Sequence, residues 1–182
     1  VADRGMISKD TIALLADHAS APFDYVLGCR MRQQKEVTRD VLAQQGPLEF
    51  VAPNLHVRDV LVGERRYVVC RNDLEAKKDA VAREAIVAKL EQTLAHSGPK
   101  AVVANKGFSR FLRVEKGSVT VDRDAVERDA RFDGTFVLTT NTKLPAAEVA
   151  TTYKSLWRVE RAFRTEKSVL DVRPIYHHTD RN

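Results

Sequence analysis

The sequence predicts an α/β protein whose sheet is interrupted by an α+β, β-rich segment, and three observations predict it. Within the first 29 residues, Val1-Ala2-Asp3, a turn, an amphipathic stretch and a second apolar run follow one another, the order strand, helix, strand. At about Arg30 the texture changes to hairpin-like runs around one long charged helical stretch. From Asp133 the chain returns to a strand and then a helical region rich in cations.

Taken in order, Val1-Ala2-Asp3 reads as the tail of a strand and Arg4-Gly5-Met6 as a turn. Ser8 suits an N-cap for a helix over about Lys9 to Ala19, with Ile12, Leu14, Leu15 and His18 mostly inward. Ala21-Pro22 ends it, and Phe23 to Cys29 reads as a buried strand. Gln33 to Gln45 is polar and predicts a short helix ended by Gly46-Pro47. Val57 to Val62 and Tyr67 to Arg71 bracket Gly63-Glu64 as a β-hairpin. Asn72 or Asp73 caps a long helix to about His96, with Ala80, Ala85, Ile86, Leu90 and Leu94 as its apolar face, and Ser97-Gly98-Pro99 stops it. Phe108 to Val114 and Ser118 to Val121 form a second hairpin around Lys116-Gly117. A helical turn near Arg123 to Arg131 leads into a strand over Phe132 to Thr140, and Pro145 lies near the first turn of the final helical region. The expected layout is core over 1–30, insertion over 31–132, and the remainder of the core over 133–182.

Composition narrows the classes. With 43% hydrophobic and 30% charged residues the chain is an ordinary globular protein. No apolar run approaches the roughly 18 residues of a membrane span. Lys and Arg outnumber Asp and Glu by 30 to 25, which permits a polyanionic partner without demanding one. The distribution says more: from Tyr153 onward seven cations face four acids. Cys29 and Cys70 lie far apart with no CxxC spacing, and read as reduced, packed cysteines of a cytoplasmic protein. Val1 is not a methionine, so a fragment or a processed product is expected.

The most informative stretch is Tyr153 to Lys167. At about 100° per residue it places Leu156, Val159, Phe163 and Leu170 on one apolar stripe. Glu160 sits at the margin of that stripe, with Tyr153, Arg164 and Lys167 on its side. On spacing alone, a surface Glu160–Arg164 ion pair worth a few tenths of a kcal/mol is the simpler account. Asp3, at the end of a strand, stands where α/β folds place their sites, although Asp-Arg-Gly also suits a turn.

Several patches together carry a resemblance. Asp3-Arg-Gly-Met, Arg71-Asn-Asp-Leu-Glu-Ala-Lys-Lys-Asp79 continuing to Arg83-Glu84, Asp133-Gly-Thr-Phe-Val-Leu-Thr-Thr-Asn141, and Tyr153 through His177 span most of the chain. The sequence resembles the DDE-type transposases of bacterial insertion sequences, and more narrowly the branch with a Tyr-Arg-Glu-Lys signature. The resemblance implies a ribonuclease-H-like core, here partial and interrupted by the insertion, in which carboxylates hold Mg²⁺ or Mn²⁺, two ions in the intact site. It places the second Asp of the triad at Asp3 and the Glu at Glu160, 157 positions later. The signature tyrosine falls at Tyr153 and the lysine at Lys167, while Leu156 stands where the arginine is expected. Arg161, Arg164 and Lys167 are the implied phosphate contacts, and Tyr153 either bonds a phosphate or packs. The implied partners are transposon-end and target DNA, with a homodimer on paired ends, no membrane, and a bacterial cytoplasmic, nucleoid-associated location.

Other features read more plainly. Trp157 suits a core or interface position better than base stacking, and adjacent His177 and His178 cannot both face one ion. Lys106 to Arg110 with Arg113 fits a DNA-facing basic hairpin and a solvated one equally. The first Asp of the triad belongs upstream of Val1, so the 182-residue chain by itself is expected not to cleave DNA; metal-dependent nicking by the purified chain would overturn this. The rival readings are a non-catalytic DNA-binding remnant of a decayed element and a ribonuclease-H-like nuclease that cuts without joining. A strand-transfer assay separates the nuclease from the transposase.

Overall fold

The computed structural model describes residues 1–2, 23–103, 109–115 and 118–156. Its main sheet contains β1 (Val26–Gly28), β2 (Glu49–Ala52), β3 (Leu55–Val62), β4 (Arg65–Asn72) and β7 (Thr135–Thr140), in the order β1-β7-β4-β3-β2. All four pairings are antiparallel. Ala2 adds a parallel bridge to Leu27: its N–H donates to the Val26 carbonyl at 3.1 Å, and its carbonyl accepts from the Gly28 N–H at 3.2 Å. This single bridge is the only parallel pairing among the described residues, and the helix expected over about Lys9 to Ala19 lies outside them. Strands from 31–132 and strands from either side share this one sheet.

Alternation along the strands gives the sheet two apolar faces. On one face Val26, Leu55, Val57, Val68, Cys70 and Leu138 are buried beneath Val149 and Ala150 of helix α3 (146–156). On the other, Val60, Tyr67, Val69 and Val137 meet Val37 and Val41 of a π-helical turn (Val37–Val41). The Leu42 N–H donates to the Val37 carbonyl in an i→i+5 bond. Each fully buried valine or leucine contributes roughly 1.5–3 kcal/mol of transfer free energy, so the two faces supply most of the cohesion.

A smaller apolar cluster joins α1 (Asp73–Val103), a 3₁₀ turn (Ser109–Phe111), the hairpin β5 (Leu112–Glu115) and β6 (Ser118–Val121), and α2 (Arg123–Ala130). Leu90, Val102 and Phe111 are its buried centre, with Ile86 and Leu94 packed beside them. Asn72 caps α1, its side-chain oxygen accepting from the N–H groups of Leu74 and Glu75, both at 3.1 Å. Asp122 caps α2 in the same way through Ala125 N–H at 3.0 Å. At Gly98 the backbone leaves the helical region, with φ at 75°, and helical geometry resumes from Pro99.

Several local expectations are corrected. The Phe23–Cys29 strand shortens to Val26–Gly28, and Phe23 is 56% exposed. Glu49–Ala52, to which the sequence reading assigns no element, is an edge strand joined to β3 through Pro53-Asn54, with Asn54 at φ 62° as a type II turn requires. Residues 109–111 form a 3₁₀ turn instead of strand, and the last strand starts at Thr135, not Phe132. On α1, Val87 is buried while Ala85 is exposed.

Both cysteines are buried, Cys29 at 4% exposure and Cys70 at 0%. Burial, with a smaller push from Glu36, raises the Cys29 thiol to about 12, and burial also raises Cys70. At pH 8 neither holds appreciable thiolate, the reactive form. We expect a thiol reagent such as DTNB to label the native protein far more slowly than the denatured one. Rapid native labelling of two thiols would contradict the packing.

Candidate functional site

The helix bearing Tyr153 is positioned before it begins. Arg66, on β4, donates through Nη1 to the carbonyls of Thr142 (2.8 Å) and Leu144 (2.7 Å). The rest of the guanidinium forms a bidentate pair with Asp59, at 2.7 and 2.8 Å. One arginine thus ties the loop after β7 to the β3–β4 hairpin, a task that a point-charge lysine fits poorly. The Val149 N–H then donates to the Pro145 carbonyl, starting α3 at the proline, as expected.

On α3, Ala146, Val149, Ala150 and Tyr153 recur at helical spacing and face the sheet. The Tyr153 ring stacks on Phe136 of β7, centroids 6.0 Å apart and planes 25° apart. Lys154, next along, lies near enough to Cys70 to favour its thiolate slightly, against the larger effect of burial.

A polar clasp joins the end of β7 to the residues leading into β1. The Asn141 side chain accepts from Tyr25 N–H at 2.8 Å and donates to the Phe23 carbonyl at 2.9 Å. Thr140 Oγ1 donates to the Tyr25 carbonyl at 2.6 Å. These contacts set the entry to β1, whose parallel neighbour is Ala2, the residue before Asp3. Sequence reasoning quoted Thr140 and Asn141 only as part of a patch; their polar types at the end of an apolar strand were the available signal.

A second lock joins the start of the Asp133–Asn141 stretch to residues 71–84. Gly134 N–H donates to Asp79 at 2.9 Å, Asp133 pairs with Arg83, and Asn72 N–H donates to the Gly134 carbonyl at 2.8 Å. Arg83 and Asp133 are both largely buried, and the carboxylate raises the guanidinium pKa further. Residues 71–84 and 133–134, far apart in sequence, are one structural unit.

Of the residues named from sequence for the site, Tyr153 is described; Asp3, Glu160, Arg161, Arg164 and Lys167 lie outside the described residues, as do Lys106, Trp157, His177 and His178. Among the described residues there is no group of three or more His, Cys, Asp or Glu able to hold a metal ion. Nor, among them, is any helix long and apolar enough to cross a membrane.

The family model of the transposase DDE domain matches residues 1–182. The chain belongs to this transposase family. No curated protein and no solved structure matches it. Membership in the transposase DDE family assigns transposase function in general, with DNA as the partner.

Proposed function

We propose that this DDE transposase cleaves transposon ends and joins them to target DNA, with Asp3 and Glu160 as two of three catalytic carboxylates. The match to the transposase DDE domain over residues 1–182 is the observation that carries the reading. The parallel bridge at Ala2 and the docking of α3 across β1, β4 and β7 support it, because they bring the chain leading to Asp3 and the helix leading to Glu160 onto one sheet. The proposed core is ribonuclease-H-like over 1–30 and 133–182, with 31–132 an insertion whose strands extend the core sheet.

Asp3 and Glu160 offer oxygen donors alone, the set that hard divalent cations such as Mg²⁺ or Mn²⁺ take. When bound, such ions supply Lewis acidity to the attacking and leaving oxygens of the phosphodiester. Asp3 and Glu160 would hold such ions. Arg161, Arg164 and Lys167 neutralise phosphate oxygens beside the scissile phosphate. Tyr153, its ring stacked on Phe136, seats α3 on the sheet and contacts the DNA backbone. In the Tyr-Arg-Glu-Lys branch Leu156 leaves the arginine role to these neighbouring cations. The protein acts as a homodimer on paired ends, in the bacterial cytoplasm at the nucleoid. Cleavage and joining by the Glu160→Gln protein test the reading.

A further inference from the structure

A cationic cluster also stands among α2, the Ser109–Phe111 turn and the turn after β1. An open cleft of about 290 Å³ is bordered by Arg32, Arg110, Arg128, Asp129, Phe111 and Phe132. It joins the turn that follows β1, at the carboxyl end of that strand, to α2 and the Ser109–Phe111 turn. Two of the arginines are held by rings: Arg32 Cζ lies 5.6 Å from the Phe132 centroid and Arg110 Cζ 4.6 Å from the Phe111 centroid.

Among the described lining residues Asp129 is the sole carboxylate, and its side chain is only 12% exposed. Arg32 donates to it through Nε at 3.1 Å, and Arg110 approaches it at 3.6 Å. Arg128 comes no closer than 3.9 Å to Asp122, a carboxylate already engaged by Arg113 at 3.1 Å and by the cap of α2. Three guanidiniums therefore share a cleft whose own neutralising charge is one Asp. Solvated arginines would relieve this crowding by spreading apart; stacking on Phe132 and Phe111 prevents it for two of them.

We propose that this cleft is a clamp for the phosphodiester backbone of DNA, with Arg32, Arg110 and Arg128 as the phosphate contacts. Guanidinium forks match phosphate oxygens bidentately; Arg32 spends Nε and Nη2 on Asp129, both at 3.1 Å, whereas Arg110 stands 3.6 Å from Asp129 and Arg128 3.9 Å from Asp122, distances at which a phosphate competes with the carboxylate. The arginine side chains are 48%, 49% and 57% exposed, and the cleft is open, which suits an extended polyanion better than an enclosed small anion. That the polyanion is DNA rests on the transposase reading. The contacts are to backbone, so they set position and affinity without reading sequence.

The test is a salt series of fluorescence-anisotropy titrations of random-sequence duplex DNA, without metal, on the 182-residue protein. Arg32, Arg110 and Arg128 are replaced together by Gln. A second protein carries Lys78→Gln, Lys89→Gln and Lys143→Gln, the same loss of charge at exposed positions elsewhere. The cleft set should weaken binding for all sequences and reduce the slope of log K against log[salt] by about 0.9 for each lost phosphate contact. The matched set should leave the slope near its original value, and Asp129→Asn, which frees two arginines, should tighten binding. The single Arg128→Gln, which breaks no close pair, keeps the test valid if the triple variant folds poorly. Equal losses in the two sets, or an unchanged slope in the cleft variants, overturn the clamp. Those results leave the catalytic reading untouched if Glu160→Gln still abolishes cleavage. A lost slope with cleavage surviving in Glu160→Gln upholds the clamp and removes the catalytic assignment.

Discussion

In an active form of the transposase, replacing Glu160 by Gln is expected to abolish both end cleavage and strand transfer. Gln keeps the size and one oxygen of the side chain but removes the negative charge, and a hard cation gains little from a neutral amide. Losing a partner outside the ligand shell of a metal already costs roughly 10–100-fold in affinity or activity, and losing a ligand should cost more. DNA binding without metal should change little, since a carboxylate only repels phosphate. Single-turnover cleavage and joining on end-sequence DNA, beside the anisotropy of the same DNA, provide the readout. Retention of both activities would return Glu160 to the status of a surface ion-pair partner of Arg164.

Gly134→Ala is expected to be the most damaging single-methyl change among the described residues. Gly134 has φ at 63°, where a side chain is strained. A Cβ built there would lie 2.2 Å from the Asn72 carbonyl oxygen and 2.7 Å from the Ala76 nitrogen. Those atoms belong to the start of α1 and cannot rotate aside as a flexible side chain would. Relief requires moving the turn away from α1, which breaks the Gly134–Asp79 bond and the Asn72–Gly134 bond and loosens the Arg83–Asp133 pair. Backbone strain and overpacking each cost about 1–3 kcal/mol, so a total of about 3–5 kcal/mol is expected. At about 2–4 °C per kcal/mol for a chain of this size, the Tm should fall by roughly 6–20 °C. Thermal unfolding followed by circular dichroism measures it; a shift of a degree or two would show that the lock yields cheaply.

Elements whose ends are written in local chemistry were legible. Asn72 caps α1, Gly98-Pro99 interrupts it, Gly63-Glu64 turns the β3–β4 hairpin, and Pro145 starts α3. Each signal acts over a few residues, the range of a cap or a tight turn. Glu49–Ala52 was missed because its pairing with β3 makes it a strand, while Phe50 stays 69% exposed and breaks the apolar alternation. Phe132-Asp133-Gly134 runs without a break into the apolar stretch of Thr135–Thr140 and so reads as part of the strand, whereas the lock to α1 bends it into a turn.

The site was legible unevenly. Asp3 and Glu160 gain meaning from the resemblance, since a lone carboxylate at either place also satisfies a turn or a surface pair. Arg32, Arg110 and Arg128 carry no shared motif, and their convergence on Asp129 follows from how α2 packs against the turn after β1.

By itself the chain's order of residues determined that it belongs with the DDE transposases, where most helices and turns begin and end, and which acids are worth testing. The sheet order β1-β7-β4-β3-β2, the clasp from Asn141 to Phe23, the Arg66 tie and the arginine cleft came from the tertiary structure. Capping and turn chemistry act between neighbours in sequence. Pairing Val26 with Thr140, or Arg32 with Asp129, depends instead on which apolar surfaces are buried against each other, and that is settled only when the whole chain packs.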